Sequence, residues 1–315
     1  MRVVYFGSGA FSVPSLQAVL ATRHEVVGVF TQPARPAGRK GGVRPTPIAQ
    51  AARQGGREAV ECADINAAEV ADHIRRLKGD VICVVDFGQM IRRNVLDCAP
   101  HGAFNLHGSL LPALRGAAPV NWALIRGHKR TGVTTFRVVE EMDAGAVYLQ
   151  SATDIGPDET GGELKVRLAE MGARTVCETL DLIETGRAEL TEQDHSKATL
   201  APRMKKSDGI IDWASDAAAV CNLIRGTWPW PGARTVLRRG GDREIALAIA
   251  LAREAPGAAA GEPGTLDDEL CVSTGKGRVR IVRLQPAGKR LMEWPDFVNG
   301  YRPQPGDRCC GAERG

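Results

Sequence analysis

Apolar runs and helical periodicities alternate through the first half of the chain. Arg2-Val-Val-Tyr-Phe6 reads as a buried strand, Val13 to Leu20 as a helix, and Glu25 to Phe30 as a second strand. Asn66-Ala-Ala-Glu69 has the spacing of a helix N-cap, after which Val70, Ile74 and Leu77 fall on one helical face. Asp80 to Val85 is continuously apolar, the pattern of a strand covered on both faces. Gly132 to Val139 is another β-rich run, and Thr160-Gly-Gly-Glu163 caps a helix carrying Leu164, Leu168 and Met171. The alternation predicts an α/β domain with a mostly parallel sheet and helices on both faces.

Near residue 187 the pattern changes. Arg187 to Arg203 is polar without apolar periodicity and reads as a surface linker. A short helix over about Ser215 to Arg225 follows, then short strands punctuated by Gly and Pro: Ala233 to Leu237, Ile245 to Leu251 and Arg278 to Val282. That is the pattern of a small β-barrel. The expected division is a first domain over 1–186, a linker over 187–203, a barrel over 204–309 and a tail over 310–315. No internal repeat is visible.

Composition narrows the class. A chain of 315 residues has room for two domains, and 43% apolar with 25% charged residues excludes a disordered chain, a collagen-like fibre and a disulfide scaffold. The longest clean apolar run, Ile245 to Ala252, is too short to cross a bilayer. Gly7-Ser-Gly9 and Pro14 break the N-terminal run before it makes a signal peptide. A net charge of +4 permits a nucleic-acid partner without requiring one, so local clustering has to decide. The eight cysteines form no C-x-x-C and no Cys/His group at metal-ligand spacing, so a reducing cytoplasm and a metal-free protein are expected. Cys309-Cys310 reads as two exposed thiols in the tail.

Candidate chemistry is concentrated in a few segments. The turn Gly7 to Ser12 resembles a dinucleotide fingerprint, but Ser12 stands where the third glycine belongs and no acid ends the second strand, which argues against NAD. On a strand, Asn105 and His107 point to the same face. The Gly- and Pro-rich segment after them must be loop, and loops at strand ends build sites. Asp143 stands in a Gly-containing turn after the Val133 to Val139 run, placed to return to the same pocket. Together Asn105, His107 and Asp143 suit acyl or formyl transfer: an oxyanion donor, a proton shuttle, and a carboxylate that orients and charges the imidazole. The same residues also suit a hydrogen-bonded strand end and an ordinary turn.

The run His107-Gly-Ser-Leu-Leu-Pro112, then Arg115-Gly-Ala-Ala-Pro119, Thr131-Gly-Val-Thr134 and Met142-Asp-Ala-Gly145, resembles the formyltransferases that use 10-formyltetrahydrofolate. The likeness extends through Met1 to Leu16, Asp208 to Trp213, Trp228 to Ala233 and Leu284 to Lys289. It implies a Rossmann-like catalytic domain and a small OB-like barrel, with Asn105, His107 and Asp143 as the catalytic group. It also implies folate contacts from Ser109, Leu110, Leu111 and Pro112, and from backbone near Phe87, Gly88 and Gln89. Leu114 replaces a usual aromatic residue and Phe87 a usual tyrosine, each removing a possible pocket contact.

Basic segments bear on the acceptor. Between Glu25 and Glu58 there is no acid but six bases, four of them (Arg35, Arg39, Lys40 and Arg44) in a Gly- and Pro-rich stretch expected to be an extended, flexible loop suited to phosphate contact. The resemblance places such an Arg-Pro-Ala-Gly-Arg loop in the family's tRNA-directed members and not in its sugar-directed ones. A second acid-free stretch, Lys276 to Arg290, puts Arg278 and Arg280 on one strand face, and Lys205 and Lys206 stand at the domain entrance. These are the expected tRNA contacts, and methionine on charged initiator tRNA is the expected acceptor, served by a monomer free of membrane. Two alternatives stand: an enzyme of the same fold acting on an amino sugar nucleotide, which Pro119-Val-Asn-Trp122 resembles, and a non-catalytic RNA-binding module.

Overall fold

Buried β-branched and aromatic residues make the first strands. The computed structural model describes residues 1–37, 42–240 and 243–311. In chain order come β1 (Arg2–Gly7), α1 (Val13–Leu20), β2 (Glu25–Thr31), a hairpin of β3 (Arg35–Ala37) and β4 (Gly42–Arg44), and α2 (Pro47–Gln54). Next are β5 (Ala59–Glu61), α3 (Ala68–Arg76), β6 (Val81–Val85), α4 (Arg93–Leu96), β7 (Ala103–His107) and α5 (Pro119–Ile125). Then β8 (Arg130–Arg137), β9 (Val147–Asp154) and α6 (Gly161–Glu184) follow. Seven strands form one sheet in the order β5-β2-β1-β6-β7-β8-β9. The pairs from β5 to β7 are parallel, and β8 runs antiparallel to β7.

The chain divides into two packed units: residues 1–119, 131–153 and 165–201, and residues 120–130, 154–164 and 202–315. In the first, Phe6 meets Phe30 edge-on at 5.4 Å and Phe87 at 5.3 Å, within a core of Val4, Ile74, Ile82 and Val84. All of β6 is buried, as its unbroken apolar run requires. The Asn66 cap is a correction: α3 begins after Ala67, because the Asn66 amide is used in tertiary bonds. Its oxygen accepts from the Arg92 amide at 2.7 Å and its nitrogen donates to the Met90 carbonyl at 2.9 Å. The Thr160 cap forms as read, since both of its bonds are local: the Thr160 amide and hydroxyl donate to the Glu163 carboxylate.

The second unit carries α7 (Ala217–Thr227), β10 (Ala233–Arg239), β11 (Arg243–Ala255), β12 (Val272–Ser273), β13 (Arg278–Pro286), β14 (Met292–Glu293), α8 (Trp294–Tyr301) and β15 (Arg308–Gly311). Its strands pair antiparallel in the order β12-β13-β11-β10-β15, with β14 on β13, as a barrel-like sheet. Trp213, Ile224, Leu237, Ile249, Ile281 and Phe297 fill it. β15 pairs with β10 through Cys310 and Cys309, so the sheet continues past residue 309. Cys309 is buried rather than an exposed tail thiol, and loss of hydration pushes it up to about 12. Among the described residues no helix is long and apolar enough to cross a membrane.

Candidate active site

Strand β7 ends at His107, one residue past Leu106, which pairs with Val85 at the end of β6. Asn105 and His107, two residues apart on β7, share a face. Because β8 is antiparallel, with His107 opposite Thr134 and Phe104 opposite Arg137, the segment after β8 starts at the far end of β7. It folds back over the sheet to bring Asp143 to His107, with Oδ2 3.7 Å from Nδ1. The imidazole is buried, with Phe136 edge-on at 6.5 Å. Its Nε2 lies 2.9 Å from the Leu114 carbonyl. A carbonyl only accepts, so Nε2 carries the proton and Nδ1, facing Asp143, is the nitrogen able to exchange one. The half-buried Asn105 side chain makes no hydrogen bond among the described residues, leaving its amide to a ligand.

Asp143 is held from several sides. Its Oδ2 accepts from the Gly116 amide at 2.7 Å. Gly116 has φ +119 and its Cα faces the Ala201 carbonyl, so only glycine places that amide there without strain. The buried Gln193 donates Nε2 to the carbonyls of Asp143 and Gly145, at 2.9 and 2.7 Å, and accepts from the buried Arg115. Sequence reading placed Gln193 in a surface linker. The structure packs residues 187–201 with the first unit, and Thr191 pairs with Val147. A polar segment carries no periodicity that would signal such burial.

The loop expected to touch folate is closed by its own bonds. The Ser109 hydroxyl donates to the Ala113 carbonyl at 2.6 Å, and Thr134 donates to the Ser109 carbonyl while accepting from the Leu111 amide. Half-buried Leu110 and Pro112, with the loop backbone, are what it offers a ligand, since Leu111 is buried. Phe87 belongs to the core, and Gln89 spends its amide on Ile65 and Cys62, so here too the backbone is what remains. Leu114 is likewise buried, contributing its carbonyl to His107 rather than a side chain to a pocket.

The first turn differs from a phosphate cradle. The amides of Ser8 and Gly9 both donate to the Asp86 carbonyl, at 3.1 and 3.2 Å. The Asp86 carboxyl lies over Gly9, where a Cβ would run into Oδ2. Asp86 is exposed as a residue, yet loss of hydration around its inturned carboxyl pushes its pKa up, against the opposing pull of Lys165 and the Phe11 amide. A cavity of about 700 Å³ opens near the other end of β7, lined by Leu96, Arg137, Tyr148 and Leu190, and includes neither Asn105 nor His107.

The basic residues divide. Arg35 and Arg44 pair across the β3–β4 hairpin and Arg44 is exposed, so the stretch begins and ends as a ladder rather than a loop. Arg39 and Lys40 lie outside the described residues. Lys205 and Lys206 are exposed. Arg278 and Arg280 carry acidic partners: Arg278 pairs with Asp267 at 2.8 Å and Glu269 at 3.2 Å, and the exposed Arg280 with Glu269 at 3.1 Å. Asn121, in the stretch resembling sugar-directed enzymes, donates to the Gly226 carbonyl at 2.7 Å in a packing role.

The formyl transferase family model matches residues 1–180, and the formyl transferase C-terminal domain model matches residues 203–302. The methionyl-tRNA formyltransferase of Solibacter usitatus is 40% identical, over 96% of this chain and 96% of its own length. Among solved structures, the sugar 3N-formyl transferase WlaRD, studied with dTDP and 5-N-formyl-THF, superposes with TM-score 0.65 at 15% identity, over 92% of this chain and 99% of that one. HypX of Aquifex aeolicus, in complex with tetrahydrofolic acid, gives TM-score 0.60 at 17% identity over 96% of this chain, which spans 47% of HypX. These two likenesses speak to the fold. Matched from end to end by enzymes of one activity, the chain belongs to the formyl transferase family, in its methionyl-tRNA formyltransferase branch.

Proposed function

We propose that this enzyme moves the formyl group of 10-formyltetrahydrofolate to the α-amine of methionine on charged initiator tRNA, with Asn105, His107 and Asp143 as the catalytic group. The observation that carries the reading is the imidazole pinned through Nε2 to Leu114, with Nδ1 turned to Asp143. The neutral amine attacks the formyl carbon, forming a C–N bond and a tetrahedral oxyanion. The Asn105 amide and the charged imidazole, donating from Nδ1, stabilise that oxyanion. Collapse breaks the bond from carbon to the folate nitrogen. The proton lost by the amine passes by way of Asp143 and His107 to that leaving nitrogen, giving formylmethionyl-tRNA and tetrahydrofolate. Folate contacts are assigned to Ser109–Pro112 and to backbone at Phe87–Gln89. Contacts with tRNA are assigned to the basic stretch around Arg35, Arg39, Lys40 and Arg44 and to Lys205 and Lys206.

The test is a formyl-transfer assay offering methionine-charged initiator tRNA, uncharged tRNA and an amino sugar nucleotide. Formylation of the charged tRNA alone supports the reading, whereas formylation of the sugar keeps the chemistry and overturns the acceptor. Asn105→Ala and His107→Ala should each lower kcat by roughly 10²–10³, as loss of one oxyanion donor does elsewhere, with the fold intact by circular dichroism. A folded His107→Ala enzyme with near-normal kcat would sink the assignment.

A further inference from the structure

Of the segment that delivers Asp143, Glu141 reaches the buried Arg115, with Oε1 3.7 Å from Nη1. Val139, Glu140, Glu141 and Met142 are exposed, and Asp143 itself has φ +52, a left-handed conformation that costs a non-glycine residue energy. Such a conformation persists only where its surroundings over-determine it. Besides the Gly116 amide on its carboxylate and the Ala144 amide on the Glu141 carbonyl, one side chain braces the turn. Gln193, 6% exposed, spans the turn by donating to the carbonyl of Asp143 and to that of Gly145. Its oxygen accepts Nε and Nη2 of Arg115, at 3.2 and 2.8 Å, and Nη2 also lies 3.2 Å from Nδ1 of His195. The next residue, Gly116, donates its amide to the Asp143 carboxylate. The circuit runs Gln193, Arg115, Gly116, Asp143 and back to Gln193, fixing both the backbone and the carboxylate of one residue. Only a primary amide meets these demands, because two carbonyls need a donor while a guanidinium needs an acceptor.

We infer that Gln193 is the positioning residue for Asp143, setting the approach of its carboxylate to His107 without touching either substrate. The inference rests on the catalytic reading of Asp143. Gln193→Glu is the informative variant. It keeps the length and the acceptor for Arg115, now strengthened by charge, but sets a carboxylate against two carbonyl oxygens. Expected are a kcat at least about tenfold lower, an unchanged KM for the folate donor, a Tm close to the parent's, and faster hydrogen exchange at the Gly116 amide. A merely structural glutamine would let kcat follow Tm. Gln193→Asn, with both chemistries on a shorter arm, should lower kcat less; it serves as the test if the glutamate variant does not fold. Unchanged Gly116 protection, or lost protection with unchanged kcat, overturns the inference. If the parent enzyme transfers no formyl group to any acceptor, the functional reading fails, and Gly116 exchange still decides the clamp.

Discussion

Two aspartates with left-handed backbone, Asp86 at φ +47 and Asp143 at φ +52, do opposite things. Asp143 is surrounded by donors. Asp86 instead gives its carbonyl to the first turn and keeps an inturned carboxyl short of hydration. A raised pKa means that the folded state binds this proton more tightly than the unfolded one, so stability falls as pH rises from the ordinary carboxylate range through the raised value. Asp86→Asn, which tolerates the same backbone, should therefore raise Tm at neutral pH, with the gain vanishing below the ordinary carboxylate range. Equal Tm differences at acid and neutral pH would contradict this. At this scale the sequence was legible where a residue acts on its near neighbours and opaque where it does not. Asn105 and His107 could be paired from strand alternation alone. Gln193 could not be found, because the carbonyls it binds lie 50 and 48 residues earlier and its own surroundings are featureless polar chain.

Among elements, the runs of apolar residues located the strands, but periodicity is the same in either direction, so the antiparallel course of β8 was not readable. Nor were the partners of β13. Arg278 and Arg280 stood in an acid-free stretch, yet Asp267 and Glu269, before β12, fold back onto them. Arg278 thus serves the barrel's structure, and the proposed contacts with RNA fall to the β3–β4 hairpin. Arg278→Ala should lower Tm by leaving Asp267 unpaired, while the salt dependence of tRNA binding stays as it was. Neutralising Arg39 and Lys40 together should leave Tm unchanged and flatten the slope of log affinity against log salt by about 1–2. Binding titrations across salt concentrations distinguish the two, and a flattened slope in the Arg278 variant would restore β13 to the interface.

At the level of the molecule, division into a parallel-sheet unit and a barrel-like unit was legible from composition and punctuation. Residues 120–130 and 154–164 group with the second unit from within the first half. The first unit also ties its start to its long helix. The Met1 amine donates to Glu184 at 2.7 Å, and Arg23 reaches the same carboxylate at 2.6 Å, joining the start of β1 to the end of α6. Hydrogen bonds from the amine and the guanidinium hold Glu184 down at about 2. A depressed pKa contributes stability above the ordinary carboxylate range, which is lost as pH falls through about 2. Glu184→Gln should therefore be less stable than the parent at neutral pH, and the two denaturation midpoints should converge as the solution approaches pH 2. A constant offset would show that the carboxylate charge is not what counts.

Among the described residues the β3–β4 ladder pairs with itself and with no strand of the large sheet. Its two roots are tied separately: the Ala34 amide donates to Glu61, and the hydroxyls of Thr31 and Thr46 meet at 2.7 Å, where Thr46 also caps α2. The described strands between those posts can therefore change without breaking a ladder bond of the large sheet. If the proposed tRNA contacts lie there, such a chain can drift toward a new acceptor while its reaction stays fixed.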